Sequence, residues 1–173
     1  MRLPAQTGVR GLTILGRVIQ SCRVPENPHF EAAADWAAAA GRLTFVPLVP
    51  RFTSGGALKS LRIHVRDRKL RELAPDERTL EAYYGTFAFS QSRRTAADAR
   101  RAALDVSYGR APRPLWILGR EGKGYELGPV PEPDDIDPRS PSVVAWADGE
   151  MFYFLASGEL PLSELIDVAT SIY

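Results

Sequence analysis

The chain is poor in the side chains that carry most enzyme chemistry. Its 173 residues include one cysteine and two histidines. A lone Cys22 excludes an internal disulfide, so stability does not depend on an oxidising compartment. No neighbour of Cys22 would lower a thiol pKa, and it reads as a passive residue rather than a nucleophile. His29 and His64 lie far apart in sequence with no carboxylate at ligand-like spacing, so neither a metal nor a cofactor is expected. No apolar run approaches the roughly 18 residues that span a membrane. Near the N-terminus, Gln6, Arg10 and Arg17 interrupt the apolar residues, unlike the core of a signal peptide. The chain as it stands is expected to be cytoplasmic, and extracytoplasmic if it is an excised domain.

Several catalytic and ligand-binding motifs are also missing. There is no Gly-x-Ser-x-Gly and no P-loop; Gly119-Arg120-Glu121-Gly122-Lys123-Gly124 has the wrong spacing and no Ser or Thr after its Lys. That run reads as a hairpin turn. Asp134-Asp135-Ile136-Asp137 lacks the spacing and glycine of a calcium loop and reads as a solvated acidic stretch. Glu81, Glu121 and Tyr83 could form an acid–base set, but no local pattern brings them together.

What is present describes one folded domain. Apolar residues make up 45% and charged residues 25% of the chain, a globular balance that excludes wholesale disorder. Net charge is +1, yet residues 1–120 carry +10 and residues 121–173 carry −9. Such a split marks either a basic binding surface or two segments that neutralise each other on folding, and the second is favoured.

Residues 1–27 show no sustained period and are read as an arm, with a domain from 28 to 173. Asn27-Pro28 predicts a helix running from Phe30 to Gly41. The prolines of Leu43 to Pro50 restrict that stretch to an edge strand or an extended connection. Leu58 to Arg68 alternates, with Leu61, Ile63 and Val65 opposite Arg62, His64 and Arg66. Leu80 to Gln91 reads as one long strand, with Tyr83, Phe87 and Phe89 on a common face. Thr95 and Asp98 form a capping pair for a helix to Val106. Leu115 to Leu118 reads as a strand, and residues 128–141, rich in proline and acid, as a surface loop. Val143 to Leu155 is a hairpin about Asp148-Gly149, with Trp146 opposite Met151. Pro161 opens a terminal helix with Leu162, Leu165, Ile166, Ala169 and Ile172 at helical spacing. The sum is an α+β fold: an open antiparallel sheet with helices mainly on one face.

The closing run resembles a known pattern. Val143-Val144-Ala145-Trp146-Ala147-Asp148-Gly149-Glu150-Met151-Phe152-Tyr153-Phe154-Leu155, followed by Leu162-Ser163-Glu164-Leu165-Ile166-Asp167-Val168-Ala169-Thr170-Ser171-Ile172, is similar to the end of a family of domains of unknown function. These occur in bacterial anti-sigma factors and sporulation lipoproteins. Leu80 to Gln91 matches the family's earlier strand. The resemblance implies an open antiparallel sheet, distantly like lipoprotein-carrier and sigma-regulator domains, and it implies no catalytic residues. The membrane anchor and signal of that family are not seen in this sequence.

These readings favour a non-catalytic binding or regulatory domain that receives a protein partner or an apolar small molecule on its sheet. Trp146, Phe152, Phe154, Tyr83 and Phe87 are the candidate contact residues. A small hydrolase or isomerase with a pocket between sheet and helix stays open as an alternative. A third reading uses Arg62, His64, Arg66 and Arg68 as an anion site, since guanidinium rows suit phosphate or carboxylate. A pI near 7.9 argues against nucleic acid. Both faces of the 143–155 hairpin are apolar, and the terminal helix covers one. The other is expected to be covered by the N-terminal arm, an apolar ligand or a second subunit, which would make the chain a homo-oligomer.

Overall fold

The computed structural model describes residues 27–106, 111–126, 128–129 and 139–173. The expected arm, apart from Asn27, and the Asp134–Asp137 run lie outside the described residues. The first half contains β1 (Phe30–Ala32), α1 (Trp36–Ala40), β2 (Ser60–His64), β3 (Thr79–Tyr83), β4 (Ala88–Arg93) and α2 (Ala96–Asp105). The second contains β5 (Arg113–Ile117), β6 (Arg120–Tyr125), β7 (Gly128–Pro129), β8 (Arg139–Ser140), β9 (Ser142–Asp148), β10 (Met151–Ser157) and α3 (Leu162–Thr170).

Eight of these strands form one open sheet in the order β1-β2-β3-β4-β10-β9-β6-β5, every neighbouring pair antiparallel. β7 and β8 pair separately. Each half of the sheet is a four-stranded meander followed by a helix. The halves meet where β4 pairs with β10, from Met151 opposite Arg93 to Ala156 opposite Ala88. This is the α+β, open antiparallel architecture expected from the sequence. Among the described residues, no helix is long and apolar enough to cross a membrane.

Residues directly opposite one another share a face. One face therefore gathers Leu61 and Ile63, Leu80 and Ala82, Phe89 and Gln91, Tyr153 and Leu155, and Val144 and Trp146. All are buried. α3 covers its second half with Leu162, Leu165, Val168 and Ala169. α1 and the extended stretch 41–58 cover its first half through Ala39, Trp36, Leu43, Phe45 and Leu48. Ile166, expected in the helix stripe, is only half-buried, and Val168 takes a full place in it.

The stretch 43–50 is an extended connection, and one side chain fastens it. Gln91, 1% exposed, accepts from the Leu48 N–H at 2.8 Å and donates to the Leu48 carbonyl at 2.7 Å. The amide of a glutamine thereby stands in for a neighbouring strand.

The second face of the hairpin is covered by α2. Val143 and Ala145 are fully buried there beside the buried Ala99 and Ala103. From the same face Lys123 donates to the Leu104 carbonyl and Tyr125 to the Val106 carbonyl. Arg94 lies over the Phe152 ring at 5.0 Å. A helix of the chain itself thus covers Val143 and Ala145, where an arm, a ligand or a second subunit was expected. A stripe of alanines brings a helix close to the sheet without large side chains to announce it.

Three local expectations are also corrected. The helix expected over 30–41 is confined to Trp36–Ala40, capped by Asp35, which accepts from the Ala38 N–H at 2.7 Å. Phe30–Ala32 instead pairs with β2. The expected long strand 80–91 is a hairpin, because Gly85 adopts φ +87° and the Tyr84 N–H donates to the Phe87 carbonyl at 2.9 Å. Tyr83 and Phe87 consequently face opposite ways. In the 143–155 hairpin the turn residues are Gly149-Glu150, so Trp146 lies opposite Tyr153. That register moves by two residues, which leaves the face of every side chain unchanged. The Thr95 cap of α2 is as expected, with its hydroxyl accepting from the Asp98 N–H at 3.2 Å.

The run 119–124 belongs to a hairpin, though its turn is Leu118-Gly119 and residues 120–125 form β6. Ile117 and Arg120 close that two-residue turn, so alternate N–H positions at 112, 114 and 116 point away from the sheet. Residues 112 and 114 are prolines. The β5 edge thus has little to offer an added strand.

Replacing Gln91 with alanine should lower unfolding stability by about 2 to 4 kcal/mol, because both polar groups of Leu48 lose their partner. Chemical denaturation checks this. Leu118 sits at φ +47° and is 53% exposed, so Leu118→Gly should raise stability by up to about 1 kcal/mol in the same assay.

Candidate functional site

Of the nine residues singled out from the sequence, seven separate into three environments. Trp146 and Phe87 are core side chains, 0% and 1% exposed, and present no surface to a partner. Trp146 stacks on Tyr153 at 5.0 Å and donates from Nε1 to the Tyr173 hydroxyl at 3.3 Å. Phe87 stacks on Tyr84 at 4.7 Å. Phe152 and Phe154 are half-buried on the face that α2 covers, their ring centres 6.5 Å apart. Tyr83, Arg62 and His64 lie on the same side of the sheet, over its first half.

The expected arginine row does not assemble. Arg62 pairs with Glu81, directly opposite on β3, at 2.7 Å, and its guanidinium sits 4.3 Å from the centre of the Phe30 ring. His64, directly opposite Phe30 on β2, stacks on that same ring at 4.9 Å. Arg66 donates to the Pro28 carbonyl at 2.7 Å. Arg68 is exposed, with no partner among the described residues. Pairing of these arginines with the acidic C-terminal segment, the consequence first expected of the charge split, is not seen among the described residues. The two segments do neutralise each other elsewhere, through Arg93–Glu150, Arg100–Glu121, Arg113–Glu126 and Arg120–Asp148.

Nor does the acid–base set come together. Glu81 and Tyr83 share a face of β3, whereas Glu121 is four strands away on β6 and bound to Arg100. Strand spacing puts that gap near 19 Å. A carboxylate–tyrosine group does exist at the end of β9. Asp148 Oδ2 lies 2.7 Å from Arg120 Nε, a close ion pair in which the N–H is not well aligned for a hydrogen bond. The Arg120 guanidinium covers the Tyr173 ring at 4.2 Å, and Tyr173 meets Tyr153 edge-on. Both histidines lie on the far half of the sheet, away from this group.

What stands out is one half-face. α2 lies over β6, β9 and β10, and among the described residues β1–β4 carry no helix on that side. Its floor presents Phe30, Arg62, His64, Glu81, Tyr83 and Ser90. At the end of the sheet, between α2 and the turn Pro75–Glu77, the same surface deepens into a cleft of about 530 Å³. Thr79, Ser92 and Arg94 lie at its base, and Asp98, Arg101, Ala102 and Asp105 form the α2 wall. Those four positions fall at helical spacing on one flank of α2, while Ala99 and Ala103 pack inward. The spacing is legible in the sequence; the role of Phe30 was hidden by the helix expected around it.

Beside the cleft, Arg71 bridges Asp67 at 3.0 Å and Glu77 at 3.1 Å. The Arg71 guanidinium and the Ala74 N–H hold Glu77 below the usual carboxylate range. Slight desolvation pushes Asp67 the other way, but the Lys69 and Arg71 N–H groups and the Arg71 side chain leave it lowered as well. Hydrogen bonds from Glu77 and Asp67 raise Arg71. Among the described residues no group of three or more His, Cys, Asp or Glu is arranged to hold a metal.

Comparison with protein-family models, with curated proteins and with solved structures finds no match to this chain.

The core beneath this surface should show its burial at high pH. Burial pushes the Tyr84 phenol from 10.0 up to about 12. A raised pKa stabilises the fold fully below pH 10 and loses that contribution as pH rises through about 12. Tyr84→Phe should therefore move the alkaline unfolding midpoint upward, as followed by circular dichroism and phenolate absorbance.

Proposed function

We propose that the chain is a non-catalytic binding or regulatory domain that receives a protein partner on the helix-free half of its sheet. One observation carries this reading: α2 covers the second half of that face and, among the described residues, no element covers the first. The exposed mixture of aromatic, cationic and anionic side chains there suits a protein surface better than an apolar small molecule. An ion pair already formed between Arg62 and Glu81 leaves the anion-site reading with less support. The resemblance of the closing hairpin and helix to domains of bacterial anti-sigma factors and sporulation lipoproteins points toward a regulatory module as well.

Site-specific photo-cross-linking tests the reading. A cross-linking residue at Tyr83 should give a discrete protein adduct in cells making this chain, and Arg62→Glu should remove it. One at Ala37, exposed on the other side of the sheet, should give none. Equal adducts from both positions, or none from Tyr83, would count against a partner at this face.

A further inference from the structure

We infer that the cleft between α2 and the turn Pro75–Glu77 is a site for a small dipolar ligand, one carrying a cationic and an anionic group, as a short peptide does. This goes beyond the partner surface. A volume of about 530 Å³ lies within the range of ligand pockets. The charges that line the cleft differ in whether they are already engaged. Arg93 is held by Glu150, and Glu77 by Arg71. Asp76 and Asp105 have no partner among the described residues. Arg101 has only Asp98 at 3.4 Å. Arg94 donates from Nε to Ser92 Oγ at 3.3 Å, which leaves its terminal N–H groups available.

Open anionic groups thus stand on both walls of one concavity, and open cationic groups at its base and on its α2 wall. A ligand of single charge would satisfy one set and sit against the other. A dipolar ligand can satisfy both, its cation toward Asp76 and Asp105 and its anion toward Arg94 and Arg101. The hydroxyls of Thr79 and Ser92 at the base add neutral hydrogen-bonding groups.

The test is amide-resolved NMR of the labelled full chain, titrated with the dipeptide lysyl-glutamate. Saturable shifts should map to Thr79, Ser92–Asp98, Arg101 and Asp105, with a dissociation constant near or below about 10 mM. Glutarate and cadaverine, which carry charge of one sign, should bind at least about tenfold more weakly. Asp105→Asn and Arg101→Gln should each weaken the dipeptide by about tenfold while leaving the remaining spectrum intact, since both side chains are exposed. Absence of saturable shifts, equal binding of glutarate or cadaverine, or shifts unchanged in both variants would overturn the inference. None of those results bears on cross-linking from Tyr83.

Discussion

The pairing of β4 with β10 is the joint on which the molecule depends. It fuses two four-stranded meanders into one sheet and puts Phe89 opposite Leu155 and Gln91 opposite Tyr153 on the core face. It also decides where the helices go. α2 follows β4 after only Arg94 and Thr95, and folds over β10, β9 and β6 on one side. α3 follows β10 and packs on the other side of the same half. Both long helices are therefore spent on the second meander. The first keeps one face for a core built with a non-regular segment, and among the described residues its other face is open.

Covering a sheet with a segment that has no ladder raises a hydrogen-bonding problem. Backbone groups buried without partners are costly, and an extended stretch has no internal bonds to offer. The sequence Val46-Pro47-Leu48-Val49-Pro50 reduces the problem, because its two prolines have no N–H to satisfy. Leu48 lies between them with both of its polar groups turned to the sheet. Gln91 binds both. A glutamine in β4, on the face of Phe89 and opposite Leu80 of β3, is thus explained by the segment it holds, and Arg93, donating to the Thr44 carbonyl at 3.3 Å, continues the fastening along β4.

Elements fixed by local chemistry were legible in the sequence. The alternation of β2, the Thr95 cap, the Asp148-Gly149 neighbourhood and the α3 stripe depend on residues within a few positions of each other. What was not legible depends on distant partners. Phe30–Ala32 has helix-forming alanines after it, but pairing with β2 outweighs that propensity. The turn at Gly85 was concealed because apolar residues continue on both sides of it. The coverage of the hairpin's second face was missed because α2 meets it with Ala99 and Ala103, which give a weak hydrophobic signal. Of the candidate site residues, Trp146 and Phe87 illustrate a general ambiguity: a large aromatic in a strand marks burial more often than contact. Arg62 became a paired residue only through the β2–β3 register, which no local pattern specifies.

The charge split between the two halves of the chain is resolved along the sheet, and its remainder says something about the surface. Exposed ion pairs contribute only about 0–1 kcal/mol each, so Arg93–Glu150 and its counterparts do little for stability beyond removing repulsion. On α2 the order of charges matters more. Asp98 precedes Arg101 by three positions, the favourable sense along a helix, and the two approach at 3.4 Å. Asp105 follows Arg101 by four, the less favourable sense, and that pair is not made. With an acid on each side of Arg101, one pairing leaves the other acid over. The three residues thus keep an anion and a cation directed at the cleft, where the open face of the sheet ends.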